Sequence, residues 1–129
     1  MPADPTDIRS AIDAYCTAFT DGDRAAYVGL FAETAWIEDP VGSPRLEGHE
    51  GIGGFFDQMS SMADSIELRR TGPVRVAAGE AAWPLQARPT MGGATMCVDI
   101  IDVMTFDDTG KIATMRAFWD PAEMRPAED

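Results

Sequence analysis

The chain has 129 residues, of which 45% are hydrophobic and 25% charged, as is typical of a single globular domain over residues 1–129. Its 22 acidic and 10 basic residues give a formal charge of −12, which argues against nucleic acid and anionic membrane as partners. No apolar run approaches the roughly 20 residues that span a bilayer, and no signal peptide pattern is visible. We therefore expect a cytoplasmic protein with residues 1–5 and 121–129 as loose tails.

The cysteines and the single histidine limit the kinds of site that this chain can build. Cys16 falls on an apolar helical stripe and Cys97 in a strand, so both are expected to be buried free thiols. His49 lies in a loop between glycines, which disfavours a Ser-His-Asp triad. With one histidine and no close partner for either cysteine, we expect no zinc or iron site.

Three helices are predicted in the first half of the chain. The first covers about 6–20 and has apolar residues at helical spacing, namely Ile8, Ala11, Ile12, Tyr15, Cys16 and Phe19. Gly22 ends it, and Asp23 caps a short second helix that carries Tyr27, Val28, Leu30 and Phe31. The third covers roughly 50–62 and presents Ile52, Phe55, Phe56 and Met59.

The strands follow mainly in the second half. A short strand over 36–39 ends at Pro40, and further strands are predicted at 66–71, 74–78, 81–90, 94–106 and 112–119. The turn residues 107–110 make the last two strands an antiparallel hairpin. We expect an α+β fold in which three N-terminal helices pack on a curved, mostly antiparallel sheet, with a cavity between the two layers.

Asp102 is the residue that the strand pattern marks as unusual. Side chains alternate along a strand, so one face of 94–106 holds Ala94, Met96, Val98, Ile100, Asp102, Met104 and Phe106. The hairpin places Asp102 near Met115 and Ala117, and such surroundings raise the pKa of a carboxyl group. A structural alternative is an acid at a bulge, or one paired with Arg75 or Arg88.

Three other side chains could act together with Asp102. Asp39 ends its strand, Tyr15 lies on the buried stripe of the first helix, and Trp119 ends the last strand. Each has an ordinary structural explanation: a turn-initiating Asp-Pro, a core tyrosine with a backbone acceptor, and a core or rim tryptophan. Together, two acids in different environments with a phenol and an indole indicate a general base and an oxyanion hole.

Four segments resemble the bacterial ketosteroid isomerases. Residues 36–42, WIEDPVG, resemble the family's EDP-x-G segment, and residues 98–107, VDIIDVMTFD, contain its D-x-I-D-V-M-x-F-D strand. Residues 71–75, TGPVR, and 115–119, MRAFW, match in the same order, and Tyr15 precedes Asp21-Gly22-Asp23 at a fitting distance. The resemblance covers about 8–119.

The resemblance implies a conical α+β fold of the nuclear-transport-factor type, usually a homodimer, with an apolar cavity for a steroid. It implies that Asp39 moves a proton from carbon 4 to carbon 6 of a 5-ene-3-ketosteroid. Tyr15 and protonated Asp102 would hydrogen-bond the dienolate oxygen, and Trp119 would donate to Asp39. In this family the acid that matches Asp102 is known to be kept neutral, and the resemblance implies no cofactor and no metal.

Other positions are expected to line the steroid pocket or to differ from the family. Expected pocket residues are Phe56, Trp83, Leu85, Ile100, Met115 and Trp119. The family often has a second tyrosine beside the oxyanion tyrosine, but the matching positions here are Phe56 and Phe31. Tyr15 should therefore lack a phenolic partner. Two other functions stay open: a related cone-fold polyketide cyclase or dehydratase, and a non-catalytic protein that binds steroid or lipid.

Overall fold

The computed structural model describes residues 1–128, and the elements form two layers, helices and a sheet. The helices are α1 (Pro5–Asp21), α2 (Arg24–Val28) and α3 (Gly48–Met62), with a short 3-10 helix at Pro121–Glu123. The strands are β1 (Phe31–Glu38), β2 (Leu46–Glu47), β3 (Ser65–Arg70), β4 (Arg75–Ala77), β5 (Glu80–Met91), β6 (Ala94–Phe106), β7 (Ile112–Phe118) and β8 (Arg125–Pro126). None of the described helices is long and apolar enough to cross a membrane.

Helix α1 has clear local signals at both ends. The Asp4 side chain accepts a hydrogen bond from the Thr6 backbone N–H at 2.8 Å, and Pro5 fits the first turn, where its missing N–H is not needed. Gly22 ends the helix with a φ of 70°, in the left-handed region that favours glycine. The buried stripe of α1 holds Ile8, Ile12, Tyr15, Ala18 and Phe19. This stripe is the face that covers the sheet.

The sheet has the strand order β2-β1-β7-β6-β5-β3, with β4 paired to β5 and β8 paired to β6. Strands β1 and β7 are parallel, and the other strand pairs are antiparallel. The predicted α+β class is confirmed: three helices pack on a mostly antiparallel open sheet. The predicted hairpin register is confirmed as well, since Asp102 lies opposite Ala117 and Met104 opposite Met115.

The region around α2 and β1 differs from the prediction. Helix α2 ends at Val28 and Phe31 already belongs to β1, which is eight residues long. The Ile112 N–H donates to the Leu30 carbonyl at 2.9 Å, and Phe31 is the register partner of Ile112. Because the partner strand lies far away in sequence, local periodicity could not indicate the early start of β1.

Both ends of the described chain include short regular elements. Ala3 is 7% exposed, and Asp4 and Pro5 begin α1. Residues 121–123 form the 3-10 helix, and Arg125 pairs with Cys97 in an antiparallel ladder. Strand β6 has 13 residues and β7 only seven, so the backbone groups in the first half of β6 are not paired with β7. Strand β8 pairs with part of this half. Asp129 lies outside the described residues.

Candidate active site

A cavity of about 270 Å³ lies between the helices and the concave face of the sheet. Its lining has four side chains that can form hydrogen bonds: Tyr15, Asp39, Asp102 and Trp119. The other lining residues are apolar: Phe19, Pro40, Phe55, Met59, Met62, Ala63, Ile66, Leu68, Leu85, Ala87, Pro89, Met91, Val98, Ile100 and Met124. Such a cavity suits a largely hydrocarbon ligand that carries a polar group at one position.

Asp102 is an acid held among apolar groups. Its residue surface is 1% exposed, and Oδ2 has no hydrogen-bond partner among residues 1–128. No ion pair within residues 1–128 includes Asp102. The structural alternative, in which Asp102 pairs with Arg75 or Arg88, is therefore not observed. Burial raises the pKa of Asp102 well above its ordinary value, and nearby Asp39 adds to the rise. Both effects favour the neutral form of the carboxyl group, which can donate a proton in a hydrogen bond.

Asp39 comes directly after β1, and its side chain lies on a different side of the sheet from that of the preceding acid, Glu38. Glu38 lies on the outer face and forms an ion pair with Arg116 at 2.8 Å. Asp39 lines the cavity instead, and the Nε1 of Trp119 donates to its Oδ1 at 2.7 Å. Burial raises the pKa of Asp39 from 3.8 to about 6, and the Trp119 hydrogen bond partly opposes this rise. Asp39 is therefore ionised at pH 7 while being a stronger base than an exposed aspartate.

The loop after Asp39 is attached to the last long strand. The Val41 backbone N–H donates to the Ala117 carbonyl at 2.8 Å. Ala117 is the register partner of Asp102. One backbone position on β7 thus connects the loop that carries Asp39 with the strand that carries Asp102, which holds the two acids at opposite sides of β7.

Tyr15 projects from the buried stripe of α1 and is 3% exposed. Burial raises the pKa of its phenol well above 10, and Tyr27 and the two carboxyl groups add to the rise. The phenol therefore stays protonated and can donate a hydrogen bond to an oxygen atom in the cavity. Its ring contacts three others, those of Tyr27, Phe31 and Trp83.

Tyr27, on α2, is a phenolic neighbour of Tyr15 that the sequence did not indicate. The two ring centroids are 5.6 Å apart, and Tyr27 is fully buried. Burial raises the pKa of Tyr27 and both carboxyl groups add to this, whereas the nearby Tyr15 hydroxyl acts in the opposite direction. The Tyr27 Oη has no partner with good hydrogen-bond geometry within residues 1–128, so ring contact defines the pair. The turn at Gly22 folds α2 back against α1.

The remaining predicted pocket residues fall into two groups. Leu85, Ile100 and Trp119 line the cavity. Phe56, Trp83 and Met115 lie behind its wall in the hydrophobic core, at exposures of 4%, 1% and 0%. The sequence reasoning did not single out the methionines near the opening, Met62 and Met91, which are 59% and 50% exposed, or Met124. Met59 was visible as part of the apolar stripe of α3, whereas Met124 comes from the segment expected to be loose.

The described residues offer little for binding a metal. Within residues 1–128, no three His, Cys, Asp or Glu side chains come together in a way that could hold an ion. The His49 Nε2 lies 2.8 Å from the Phe31 carbonyl oxygen, so this ring is used for a backbone contact. Cys16 and Cys97 are free, the former partly and the latter fully buried.

Comparison with known proteins gives the family. Residues 12–115 match the SnoaL-like domain. The chain belongs to the SnoaL-like family. It is 37% identical over 118 residues to a steroid Delta-isomerase of Nocardioides simplex, a match that covers 92% of this chain and 94% of that protein. The resemblance seen in the sequence motifs is thereby confirmed.

One solved structure that is similar to this SnoaL-like chain belongs to a different kind of enzyme. It is the epoxide hydrolase/cyclase-like enzyme SalBIII, described as having a role in pyran ring formation in polyether salinomycin. The TM-score is 0.86 at 26% sequence identity, and the match covers 96% of this chain and 98% of the other. The cone fold is shared, so the side chains in the cavity have to distinguish one reaction from another.

Proposed function

We propose that the protein is a steroid delta-isomerase, which moves the double bond of a 5-ene-3-ketosteroid into conjugation with the ketone. The observation that carries the proposal is the pair of unlike acids in one apolar cavity. Asp39 has a pKa of about 6 and an indole donor, whereas Asp102 is enclosed near Tyr15 and burial raises its pKa well above the ordinary value. The 37% identity to a steroid Delta-isomerase supports the same reaction.

The proposed mechanism is a proton transfer through a dienolate. The Asp39 carboxylate removes a proton from carbon 4, and the electron pair of that C–H bond moves toward the ketone oxygen. Tyr15 and Asp102 donate hydrogen bonds to this oxygen as its negative charge develops. Asp39, now protonated, returns the proton to carbon 6, and the conjugated enone results. The number of protons is unchanged, so no cofactor takes part in the balance.

Each proposed role follows from an environment in the structure. A base has to be ionised at the working pH, which suits a carboxyl group with a pKa of about 6. An oxyanion donor has to keep its proton, and burial raises the pKa values of both Tyr15 and Asp102. The apolar lining excludes water, which strengthens these hydrogen bonds.

The test is the growth of conjugated-enone absorbance with a 5-ene-3-ketosteroid as substrate. Asp39→Asn should abolish turnover while a phenolic steroid still binds. Tyr15→Phe and Asp102→Leu should each lower kcat by roughly 10²–10³, the usual loss for one oxyanion donor. Asp99→Asn is the matched control, because Asp99 lies on the same strand but on the exposed outer face. Turnover of Asp39→Asn at the wild-type rate would exclude this mechanism.

A second candidate, a cyclase or dehydratase of the same fold, is favoured by the likeness to the epoxide hydrolase/cyclase-like structure. Such an enzyme would convert a linear substrate without isomerising the ketosteroid. A third candidate, a non-catalytic steroid or lipid binder, would take up a phenolic steroid and leave the 5-ene-3-ketone unchanged. Parallel assays with a ketosteroid and a hydroxy-epoxide substrate separate the three.

We also propose that the protein acts as a homodimer that buries the outer face of the sheet. Ile101 and Phe118 are register partners on β6 and β7, and they are 46% and 41% exposed on the side opposite Asp102. Two large apolar side chains side by side at the surface are typical of an interface. Ile101→Glu should convert a dimer to a monomer in sedimentation analysis, whereas Asp13→Asn on α1 should leave the assembly unchanged. A wild-type monomer would exclude the dimer.

A further inference from the structure

Three buried side-chain atoms in the described part of the chain have no hydrogen-bond partner, and all three belong to residues near Tyr15. They are the Tyr27 Oη, the Trp83 Nε1 and the Asp102 Oδ2. Buried polar atoms are almost always paired in folded proteins, so each unpaired atom requires an explanation. Two of the three are complementary, because an indole N–H only donates and a carboxyl oxygen can accept.

The sheet places these two complementary groups next to each other. Trp83 and Asp102 are register partners on the antiparallel strands β5 and β6, and both side chains point to the concave face. Side chains directly opposite in such a pair have Cβ atoms only about 5 Å apart. The last torsion of an aspartate is soft, so its carboxyl group can turn toward a neighbour without moving the backbone.

Trp83 is in a position to act on the site without touching a ligand. It is 1% exposed and does not line the cavity. Its ring stands nearly perpendicular to that of Tyr15, with centroids 5.9 Å apart and an interplanar angle of 87°. Trp83 therefore contacts the ring of Tyr15 and is the cross-strand neighbour of Asp102, the two groups that we propose to bind the oxyanion.

We propose that Trp83 is a positioning residue whose Nε1–H donates to the Oδ2 of Asp102 when an oxygen-bearing ligand occupies the cavity. A neutral carboxyl group has one carbonyl and one hydroxyl oxygen. If Oδ2 accepts from the indole, it is the carbonyl oxygen, and the proton resides on Oδ1. Because Asp102 lines the cavity while Oδ2 is enclosed, this arrangement directs the proton into the cavity.

The inference rests on the proposed function, since it assumes that Asp102 donates to a substrate oxygen. Without the indole, the carboxyl proton could lie on either oxygen, and only one of these arrangements serves the reaction. The proposed role of Trp83 is thus to keep the Asp102 proton on Oδ1, while Asp102 itself donates to the substrate. Its loss should lower kcat and leave KM nearly unchanged, because the apolar contacts of the substrate are not altered.

The direct test observes the indole N–H signals of the 15N-labelled protein by NMR. The chain has three tryptophans, so Trp36→Phe and Trp119→Phe identify the Trp83 signal by elimination. Addition of a phenolic steroid should move the Trp83 proton signal downfield in the wild type and in Tyr15→Phe. The shift should be absent in Asp102→Leu, which lacks the acceptor. An equal shift in Asp102→Leu, or none in the wild type, would overturn the proposal.

Kinetics give an independent test of how Trp83 acts. Trp83→Phe should lower kcat about fivefold, as expected for one hydrogen bond between neutral groups, and should have no effect in the Asp102→Leu background. Trp36→Phe, on the outer face beneath Arg45, is the control and should leave kcat unchanged. The same fold-loss in both backgrounds would assign Trp83 a purely structural role.

The two tests also separate this proposal from the proposed function. If the wild type does not isomerise ketosteroids, the proposed function fails, but the indole signal still reports whether Trp83 contacts Asp102. If Trp83→Phe does not fold, the comparison of wild type with Asp102→Leu decides the matter, because both retain Trp83.

Discussion

Replacing Asp39 by asparagine should make the protein more stable at neutral pH while removing its activity. The folded state raises the pKa of this carboxyl group from 3.8 to about 6. Between these two values the folded chain binds more protons than the unfolded chain, so the free energy of unfolding falls as the pH rises. The ionised carboxylate that we propose as the base is therefore a destabilising group at pH 8.

The size of the effect follows from the shift in pKa. A difference of about two units corresponds to about 3 kcal/mol at a pH above both values. Because Asp39 is partly exposed, we expect solvent screening to reduce this to about 2 kcal/mol. Asparagine keeps an oxygen that can accept from Trp119, so the substitution removes the charge and retains the hydrogen bond.

The assay is urea denaturation of wild type and Asp39→Asn from pH 3.5 to pH 8. At pH 8 the midpoint of the variant should be higher by about 1 M, given a typical urea dependence for a chain of this size. At pH 3.5 the two midpoints should nearly coincide, since Asp39 is then protonated in the folded wild type and about two-thirds protonated in the unfolded chain. Asp13→Asn, at a side chain that is 70% exposed, is the control. A difference between wild type and Asp39→Asn that does not change with pH would refute the reasoning.

Three further predictions concern the base and helix α3. The kcat/KM of the wild type should fall tenfold per pH unit below about 6, because protonated Asp39 cannot accept a proton. The Trp119 indole N–H lowers the pKa of Asp39 in the wild type, so its removal in Trp119→Phe should raise this pKa and move the inflection to higher pH. An unchanged pH profile would contradict this. Gly54→Ala should stabilise the fold by about 1 kcal/mol in thermal unfolding, because its new Cβ meets nothing within 4 Å in an exposed helical position. Gly53→Ala should gain less, since its Cβ would lie 2.5 Å from the Arg24 guanidinium and displace it; a larger gain there would be contrary to the geometry.

The features that could be predicted from the sequence are those that depend on residues close together in the chain. Alternation along β6 identifies the face that carries Asp102, and the turn at 107–110 determines its register against Ala117. The position of Asp39 follows from a strand that ends at a proline. Each of these depends on neighbours within about 15 residues, so no knowledge of distant contacts is required.

The features that sequence could not predict depend on elements that meet only in the folded chain. Tyr27 lies beside Tyr15 because α2 folds back on α1, and no periodicity indicates the angle between two helices. Met124 reaches the cavity because β8 pairs with the free part of β6. Trp83 was expected in the pocket, but its ring packs behind the wall, since the depth of a side chain depends on the curvature of the sheet.

The parallel pairing of β1 with β7 determines when the site can exist. The hairpins β5–β6 and β6–β7 join strands that are adjacent in sequence. In contrast, the hydrogen bond from Trp119 to Asp39 joins residues that are 80 positions apart. Contacts at such separations form late in folding, because a long loop must close before they contribute. During synthesis, β1 cannot pair with β7 and Trp119 cannot donate to Asp39 until residues 112–119 have left the ribosome. Assembly of the reactive centre is therefore coupled to completion of the chain.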